Sequence, residues 1–138
     1  MSDKALSINK LLQVALPCAD ITQSRLFYEE VLGAKFIAEF DPPGLLFFQL
    51  GDARLLLERS TDKSESGTVL YFEVPKIKEA FSTLQAKGVE FESDPQLVHT
   101  DSDGLFGEPG HEEWMAFFRD PDANILALVS KVTKASAS

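Results

Sequence analysis

The feature of this chain that most constrains its fold is an internal repeat. Residues 33–36 (Gly-Ala-Lys-Phe) resemble residues 88–91 (Gly-Val-Glu-Phe), and residues 47–53 (Phe-Phe-Gln-Leu-Gly-Asp-Ala) resemble residues 117–123 (Phe-Phe-Arg-Asp-Pro-Asp-Ala). The first pair lies 55 positions apart (88 − 33) and the second 70 (117 − 47). The second copy therefore holds 15 extra residues, which we place in a loop at residues 100–113. Two copies of one unit, each with one apolar sheet face, are expected to stack or pair so that those faces become shared interior.

Local patterns predict that each copy contains a strand, a helix and three more strands. In the first copy a strand at residues 11–16 precedes a helix that begins after Asp20 and ends at Gly33. Asp20 with Gln23 matches a capping box, and glycine is the usual residue after a helix. The three strands that follow are predicted at residues 35–40, 45–50 and 54–58.

The second copy repeats this order and completes an α+β fold of two tandem βαβββ modules. A strand at residues 69–74 precedes a helix opened by Pro75 and ended by Gly88. Its apolar stripe has the spacing of a helix packed by one face, and comprises Ile77, Ala80, Phe81 and Leu84. Three strands are predicted at residues 89–92, 114–119 and 125–130. The predicted organisation is an N-terminal extension (1–8), module one (9–58), a linker (59–66), module two (67–131) and a flexible tail (132–138).

Charge and cysteine content exclude several classes of protein. The net charge of −9, without a cluster of basic residues, argues against a nucleic-acid partner. An anionic ligand would need a local basic patch, and the available residues are scattered: Arg25, Arg54, Arg59, Lys63 and Arg119. The apolar runs are too short to cross a membrane, and the N-terminus has no signal-peptide pattern. The single cysteine, Cys18, is expected to be a packed thiol, so we expect a reducing, cytoplasmic location.

Two segments carry a family resemblance. The helix sequence at residues 24–33 (Ser-Arg-Leu-Phe-Tyr-Glu-Glu-Val-Leu-Gly) and the hairpin at residues 118–124 lie in a duplication over residues 9–131. Together they resemble the vicinal-oxygen-chelate superfamily, which includes glyoxalase I, extradiol dioxygenases and bleomycin-binding proteins. The resemblance implies a curled mixed sheet around a cavity, commonly in a homodimer. One departure is Ala123, where the family usually has glycine, so we expect a strained turn or another turn type.

The same resemblance implies a divalent metal site, and this chain departs from it. Gln13 matches the first usual donor, but the usual carboxylate of the fourth strand falls within residues 55–57, all leucine. The later histidine and glutamate match Val69 and Ala127. One neutral amide is not a competent cation site, so we expect no cofactor. Gln13 and His111 are the only candidate metal donors that remain.

The expected site is an apolar pocket for a small-molecule ligand. Its candidate lining residues are Gln13, Leu55, Leu57, Val69, Tyr71, Trp114, Phe118 and Ala127. Such residues line ligand pockets and packed cores alike. The candidate catalytic residues are His111, Glu112 and Glu113, which with Gln13 form a possible replacement metal site; the alternative is a solvated loop.

The glycine-rich stretch at residues 100–113 carries the apolar pair Leu105 and Phe106. It is interpreted either as a flap over the pocket or as a disordered loop. Three functions stay open: metal-independent binding or conversion of a small organic molecule, a metal-dependent glyoxalase-type lyase or isomerase, and a non-catalytic ligand-sequestering dimer that stacks a flat ligand on aromatic residues such as Trp114. The missing metal donors favour the first.

Overall fold

The computed structural model describes residues 10–60 and 68–133. The chain divides into two compact units between residues 62 and 63, within the predicted linker. The predicted N-terminal extension, residues 61–66 of the linker and residues 134–138 of the tail lie outside the described residues. Arg59 and Val132 belong to strands and not to the predicted linker and tail.

The first unit is a four-stranded sheet with one helical segment. Its strands are β1 (Gln13–Cys18), β2 (Lys35–Phe40), β3 (Leu45–Leu50) and β4 (Ala53–Arg59), in the order β1-β4-β3-β2. β1 and β4 are parallel and the other pairs antiparallel. Helix α1 (Ile21–Arg25) continues as a π-helical segment (Leu26–Val31). The Asp20 carboxylate accepts a hydrogen bond from the Gln23 backbone N–H at 3.0 Å, which confirms Asp20 as the helix cap.

The second unit has the same arrangement, which confirms the α+β fold with two βαβββ modules. Its elements are β5 (Val69–Glu73), α2 (Ile77–Ala86), β6 (Gln96–Asp101), β7 (His111–Arg119) and β8 (Ile125–Val132). The strand order is β5-β8-β7-β6, with β5 and β8 parallel. None of the helices in residues 10–60 and 68–133 combines the length and the hydropathy needed to cross a membrane.

The strand predicted at residues 89–92 is wrong. Phe91 makes only an isolated bridge to Phe118. The edge strand that corresponds to β2 is β6. It begins 61 residues after the start of β2 (96 − 35), six more than the 55-residue offset of the repeat (88 − 33). Phe91 alternates with Val89 as in a strand, but its ring packs between Phe81 of α2 and Phe118 of β7, at 4.6 and 5.1 Å between centroids. The extra residues of the second copy are therefore divided between the α2–β6 connection and the β6–β7 loop, and this loop spans only residues 102–110.

One face of each sheet packs on the helix of its own unit. In the first unit Tyr28, from the π-helical segment, lies 5.7 Å from the Phe48 ring of β3. In the second unit Ile77 and Leu84 of α2 are buried, and Phe118 is fully buried on the helix side. The fully buried strand residues of the first unit are Leu16, Cys18, Leu46, Phe48, Leu55 and Leu57. These helix-packed faces are the cores of the two units.

Candidate functional site

The opposite face of the first sheet carries Gln13. The register sets Gln13 of β1 beside Arg54 of β4, and Arg54 beside Gln49 of β3. Because alternate strand residues share a face, Leu56 and Glu58 follow Arg54 on this side. The Leu56 row is completed by Ala15, Phe47 and Ala38. We call this side the Gln13 face: a polar row followed by an apolar row, with its residues half-buried or exposed.

Arg54 has an unusual environment on the Gln13 face. Among the described residues, its Nε is the one buried side-chain nitrogen or oxygen without a hydrogen-bond partner. The chain has three other arginines, and each lies within 3.4 Å of a carboxylate. The pairs are Arg25 with Glu29 and Glu39, Arg59 with Asp41, and Arg119 with Glu92. Within the described part of the chain, Arg54 is thus a half-buried cation without such a carboxylate.

The register separates the predicted pocket residues of the first unit. Leu55 and Leu57 are fully buried on the helix-packed face, one residue out of phase with Gln13. They are core residues of the first unit and lie on the opposite face of the sheet from Gln13. Of the three leucines where the family resemblance places a carboxylate, Leu56 is the one on the Gln13 face, two residues after Arg54. The polar row of this face therefore holds the Gln13 and Gln49 amides on either side of the Arg54 guanidinium, and hydrocarbon follows in the next row.

The second unit divides its predicted pocket residues in the same way. Val69, Tyr71 and Ala127 share the face opposite α2, as strand alternation predicts, and Tyr71 is 56% exposed with its ring 6.2 Å from that of Phe117. Phe118 points to the other side and packs on Phe91. The three residues Val69, Tyr71 and Ala127 carry no metal donor other than the exposed phenol of Tyr71.

Trp114 also lies on the helix side, away from Tyr71. Its Nε1–H donates to Glu112 at 3.0 Å, and the Lys78 ammonium lies 5.7 Å from its ring. Trp114 lines a cavity of about 700 Å³ at the N-terminal end of α2. The other lining residues are Pro75, Lys76, Ile77, Lys78, Glu79, Glu112, Ser130, Lys131 and Val132.

His111 is buried rather than part of a solvated loop. Its side chain is 1% exposed, with Nδ1 2.8 Å from the Glu108 carbonyl oxygen and Nε2 3.1 Å from the Glu113 carboxylate. Both partners only accept, so both contacts are hydrogen bonds when the imidazole is protonated. The Glu108 carbonyl and Glu113 raise the pKa of His111 against the opposing effect of burial, with a further contribution from Asp101 at 3.4 Å.

Asp101 anchors the β6–β7 loop. Its carboxylate accepts the backbone N–H groups of Leu105 and Phe106, each at 2.8 Å. Burial alone would raise the pKa of Asp101, but these N–H groups and His111 outweigh burial and hold the pKa below its usual value. Leu105 and Phe106 stay 77% and 60% exposed. The loop thus has an ordered base and an apolar tip; its role as a flap stays a prediction.

The candidate catalytic residues make their side-chain hydrogen bonds within the second unit. His111, Glu112 and Glu113 belong to the second unit, where His111 and Glu113 bond to each other and Glu112 bonds to Trp114. Within residues 10–60 and 68–133, no three His, Cys, Asp or Glu side chains are grouped so that they could hold a metal ion. In the first unit, the Arg54 and Leu56 side chains near Gln13 do not supply the donors that the family resemblance implies for a metal centre.

Sequence reasoning missed the importance of Arg54 and Asp101. In the sequence, Arg54 is only one of several scattered basic residues. A single charged residue directly before Leu55, Leu56 and Leu57 nevertheless indicates a position on the less buried face of the strand. Asp101 has no comparable signal, because its partners are backbone groups of a folded loop.

Comparison with known proteins identifies the family. The sequence profile of the Glyoxalase/Bleomycin resistance protein/Dioxygenase superfamily matches residues 10–128. No curated protein sequence matches the chain significantly. An integron cassette protein of V. cholerae is similar in structure, with a TM-score of 0.71 and 23% identity over 92% of this chain and 98% of that chain. A lactoylglutathione lyase of Agrobacterium tumefaciens has a TM-score of 0.69 and 18% identity, over 90% and 95% of the two chains.

A third similar structure is a glyoxalase/bleomycin resistance protein/dioxygenase of Alicyclobacillus acidocaldarius, with a TM-score of 0.67 and 19% identity over 94% of this chain and 97% of that chain. At such identities the three likenesses establish the fold, and the profile match over most of the chain establishes the family. This chain belongs to the glyoxalase/bleomycin resistance protein/dioxygenase superfamily.

Proposed function

We propose that this protein binds a small organic molecule on the Gln13 face without a metal ion. The observation that carries the proposal is the environment of Gln13: Arg54 is its neighbour in the polar row, and Leu56 follows in the apolar row. A guanidinium is protonated at all physiological pH values, and a leucine donates nothing to a metal. This set of groups suits an organic ligand better than a cation.

Electrostatic repulsion from Arg54 also disfavours a metal ion at Gln13. A divalent cation held by Gln13 would have the Arg54 charge as a neighbour in the same row. Charges of +2 and +1 about 6 Å apart repel by about 5 kcal/mol at an effective dielectric constant of roughly 20. The described residues supply no group of three acidic, His or Cys side chains to offset that repulsion.

The apolar row supplies the attraction for an uncharged part of the ligand. Leu56, Phe47 and Ala38 are all half-buried, so each offers hydrocarbon surface on this face. Covering about 100 Å² of apolar surface contributes roughly 2.5 kcal/mol before the costs of association. The two alternatives have less support: the donor set does not favour a metal-dependent lyase, and Trp114, the aromatic residue that suited a stacking dimer, lies on the helix side. The homodimer stays a prediction.

Metal analysis and thermal unfolding test the proposal. Protein purified without chelator should contain substoichiometric metal, and its melting temperature should not rise with Zn²⁺, Ni²⁺ or Mn²⁺. A site with a Kd of about 1 µM would gain about 2.7 kcal/mol of stability at roughly 100 µM metal, which a melting curve detects readily. Stoichiometric metal that is lost in the variant Gln13→Ala would refute metal-independent binding.

A further inference from the structure

We infer that the ligand of the Gln13 face is a small organic acid whose anionic oxygens bind the Arg54 guanidinium. The inference rests on the proposed function and adds the chemical class of its ligand. It is carried by the buried, unpartnered Nε of Arg54 and by the position of that residue in the polar row between Gln13 and Gln49.

An unpartnered buried N–H is unfavourable. Leaving such a donor without an acceptor costs about 1–3 kcal/mol, and more for a charged group, so native structures contain few of them. Arg54 is the single case among the described residues. An oxyanion bound at the accessible part of the half-buried Arg54 guanidinium would supply the negative charge that this group lacks, which is a differential gain for an oxyanion over a neutral molecule.

The charge distribution strengthens the argument. The chain has 22 acidic and 13 basic residues, so acceptors are abundant, and the three other arginines each meet one. Arg54 meets none of them within the described part of the chain. A guanidinium presents N–H groups in a planar fork that matches a carboxylate or a phosphonate. The missing partner of Arg54 therefore has the chemistry of an oxyanion.

The neighbours of Arg54 restrict the ligand further. Gln49 is occupied, because its Nε2 donates to the carbonyl oxygens of Gly51 and Ala53 at 2.6 and 3.2 Å. Gln13, on the other side, is the amide neighbour available to a ligand oxygen. Leu56 meets the hydrocarbon part, and Glu58 lies about 13 Å from Arg54 along the strand, four residues at roughly 3.3 Å each. A second negative charge at that end would be repelled, so a monoanion with a short apolar body fits best.

Two-dimensional ¹⁵N–¹H spectra of the full chain test the inference directly, because they include arginine Nε–H signals. The probes are benzoate, phenylphosphonate and uncharged benzamide, each titrated to roughly 50 mM, which detects a Kd in the millimolar range. The signal of Arg54 Nε–H is identified by its loss in Arg54→Lys. Benzoate and phenylphosphonate should shift this signal, and benzamide should bind at least about tenfold more weakly, a difference of about 1.4 kcal/mol.

Variants separate charge recognition from folding. Arg54→Gln should weaken benzoate binding at least about tenfold and benzamide binding by a much smaller factor, while Arg54→Lys should retain part of the benzoate affinity. Arg119→Gln, which removes an arginine already paired with Glu92, is the matched control and should change neither. Benzamide binding that persists in Arg54→Gln shows that this variant keeps the face intact.

The possible failures are distinguishable. Equal binding of benzoate and benzamide, or an unshifted Arg54 Nε–H signal with benzoate, overturns the inference. Equal benzoate affinity in Arg54→Gln and the unmodified chain also overturns it. Benzoate shifts that appear only after Zn²⁺ is added instead contradict the metal-independent function.

Discussion

Replacing Ala123 with glycine is expected to stabilise this protein. Ala123 has a φ of 65°, the one positive φ of a non-glycine residue in residues 10–60 and 68–133. The turn around it is held by Asp120: the Asp120 carbonyl accepts the Ala123 N–H at 3.0 Å, and the carboxylate accepts the N–H groups of Asp122 and Asn124 at 2.9 and 2.8 Å. These bonds keep the residue in the left-handed region although its Cβ opposes it.

The size of the effect follows from two opposing contributions. An alanine in the left-handed region costs roughly 1–2 kcal/mol, which glycine avoids. Glycine in turn favours the unfolded chain by about 0.4–1 kcal/mol, because it has more conformations to lose. The Ala123 side chain is exposed, so its removal forfeits little packing. The net gain is about 0.5–1 kcal/mol, or roughly 2–4 °C in melting temperature.

Urea unfolding followed by circular dichroism measures this difference. With a slope of about 2 kcal/mol per molar urea, the midpoint of Ala123→Gly should rise by roughly 0.3–0.5 M. The matched control is Ala86→Gly at the exposed end of α2, which should lower stability by about 0.5–1 kcal/mol because the helical φ there suits alanine. A loss of stability in Ala123→Gly equal to that of Ala86→Gly would refute the strain argument.

The remaining predictions concern the cores and the buried histidine. The hydrogen-bond acceptors around His111 raise its pKa above the ordinary value of 6.5, so its contribution to stability is complete below pH 6.5 and is lost as the pH rises through the folded-state pKa. His111→Gln should therefore reduce the fall of the urea midpoint above pH 6.5. His99→Gln, at an exposed position, should keep the pH dependence of the unmodified chain. The same pH dependence of the midpoint in both variants would contradict this role of His111. Phe118→Ala should lower the free energy of unfolding by about 3–5 kcal/mol because the ring is fully buried, whereas Phe106→Ala, at a 60% exposed position, should change it by less than about 0.5 kcal/mol. Similar losses in the two phenylalanine variants, measured by urea unfolding, would contradict the assignment of the core.

Several features of this protein follow from the sequence because their causes are local. The repeat of residues 33–36 at residues 88–91 predicts two similar modules, and the strand orders of the two units confirm it. Asp20 caps its helix through a backbone group three residues away. Ala123 differs from the family's glycine, and the positive φ at this position confirms the strained turn.

Other features depend on the strand register, which no local pattern specifies. Residues 55–57 are all leucine, yet Leu56 lies on the Gln13 face and its two neighbours lie in the core. A shift of one residue exchanges the two faces of a strand, and the packing of the helical segment against the sheet decides between them. For the same reason Phe91 packs as a core ring rather than in a strand.

The environments of the charged groups were decided only by the tertiary structure. His111 is buried because the β6–β7 loop turns back, so that the carbonyl of Glu108 meets its ring and the base of the loop is held by Asp101. Arg54 became a candidate binding residue because, among the described residues, no carboxylate of this acidic chain reaches it. Sequence determines which charges are present, but the distances between them arise from contacts between segments far apart in the chain, and electrostatic interactions depend on those distances.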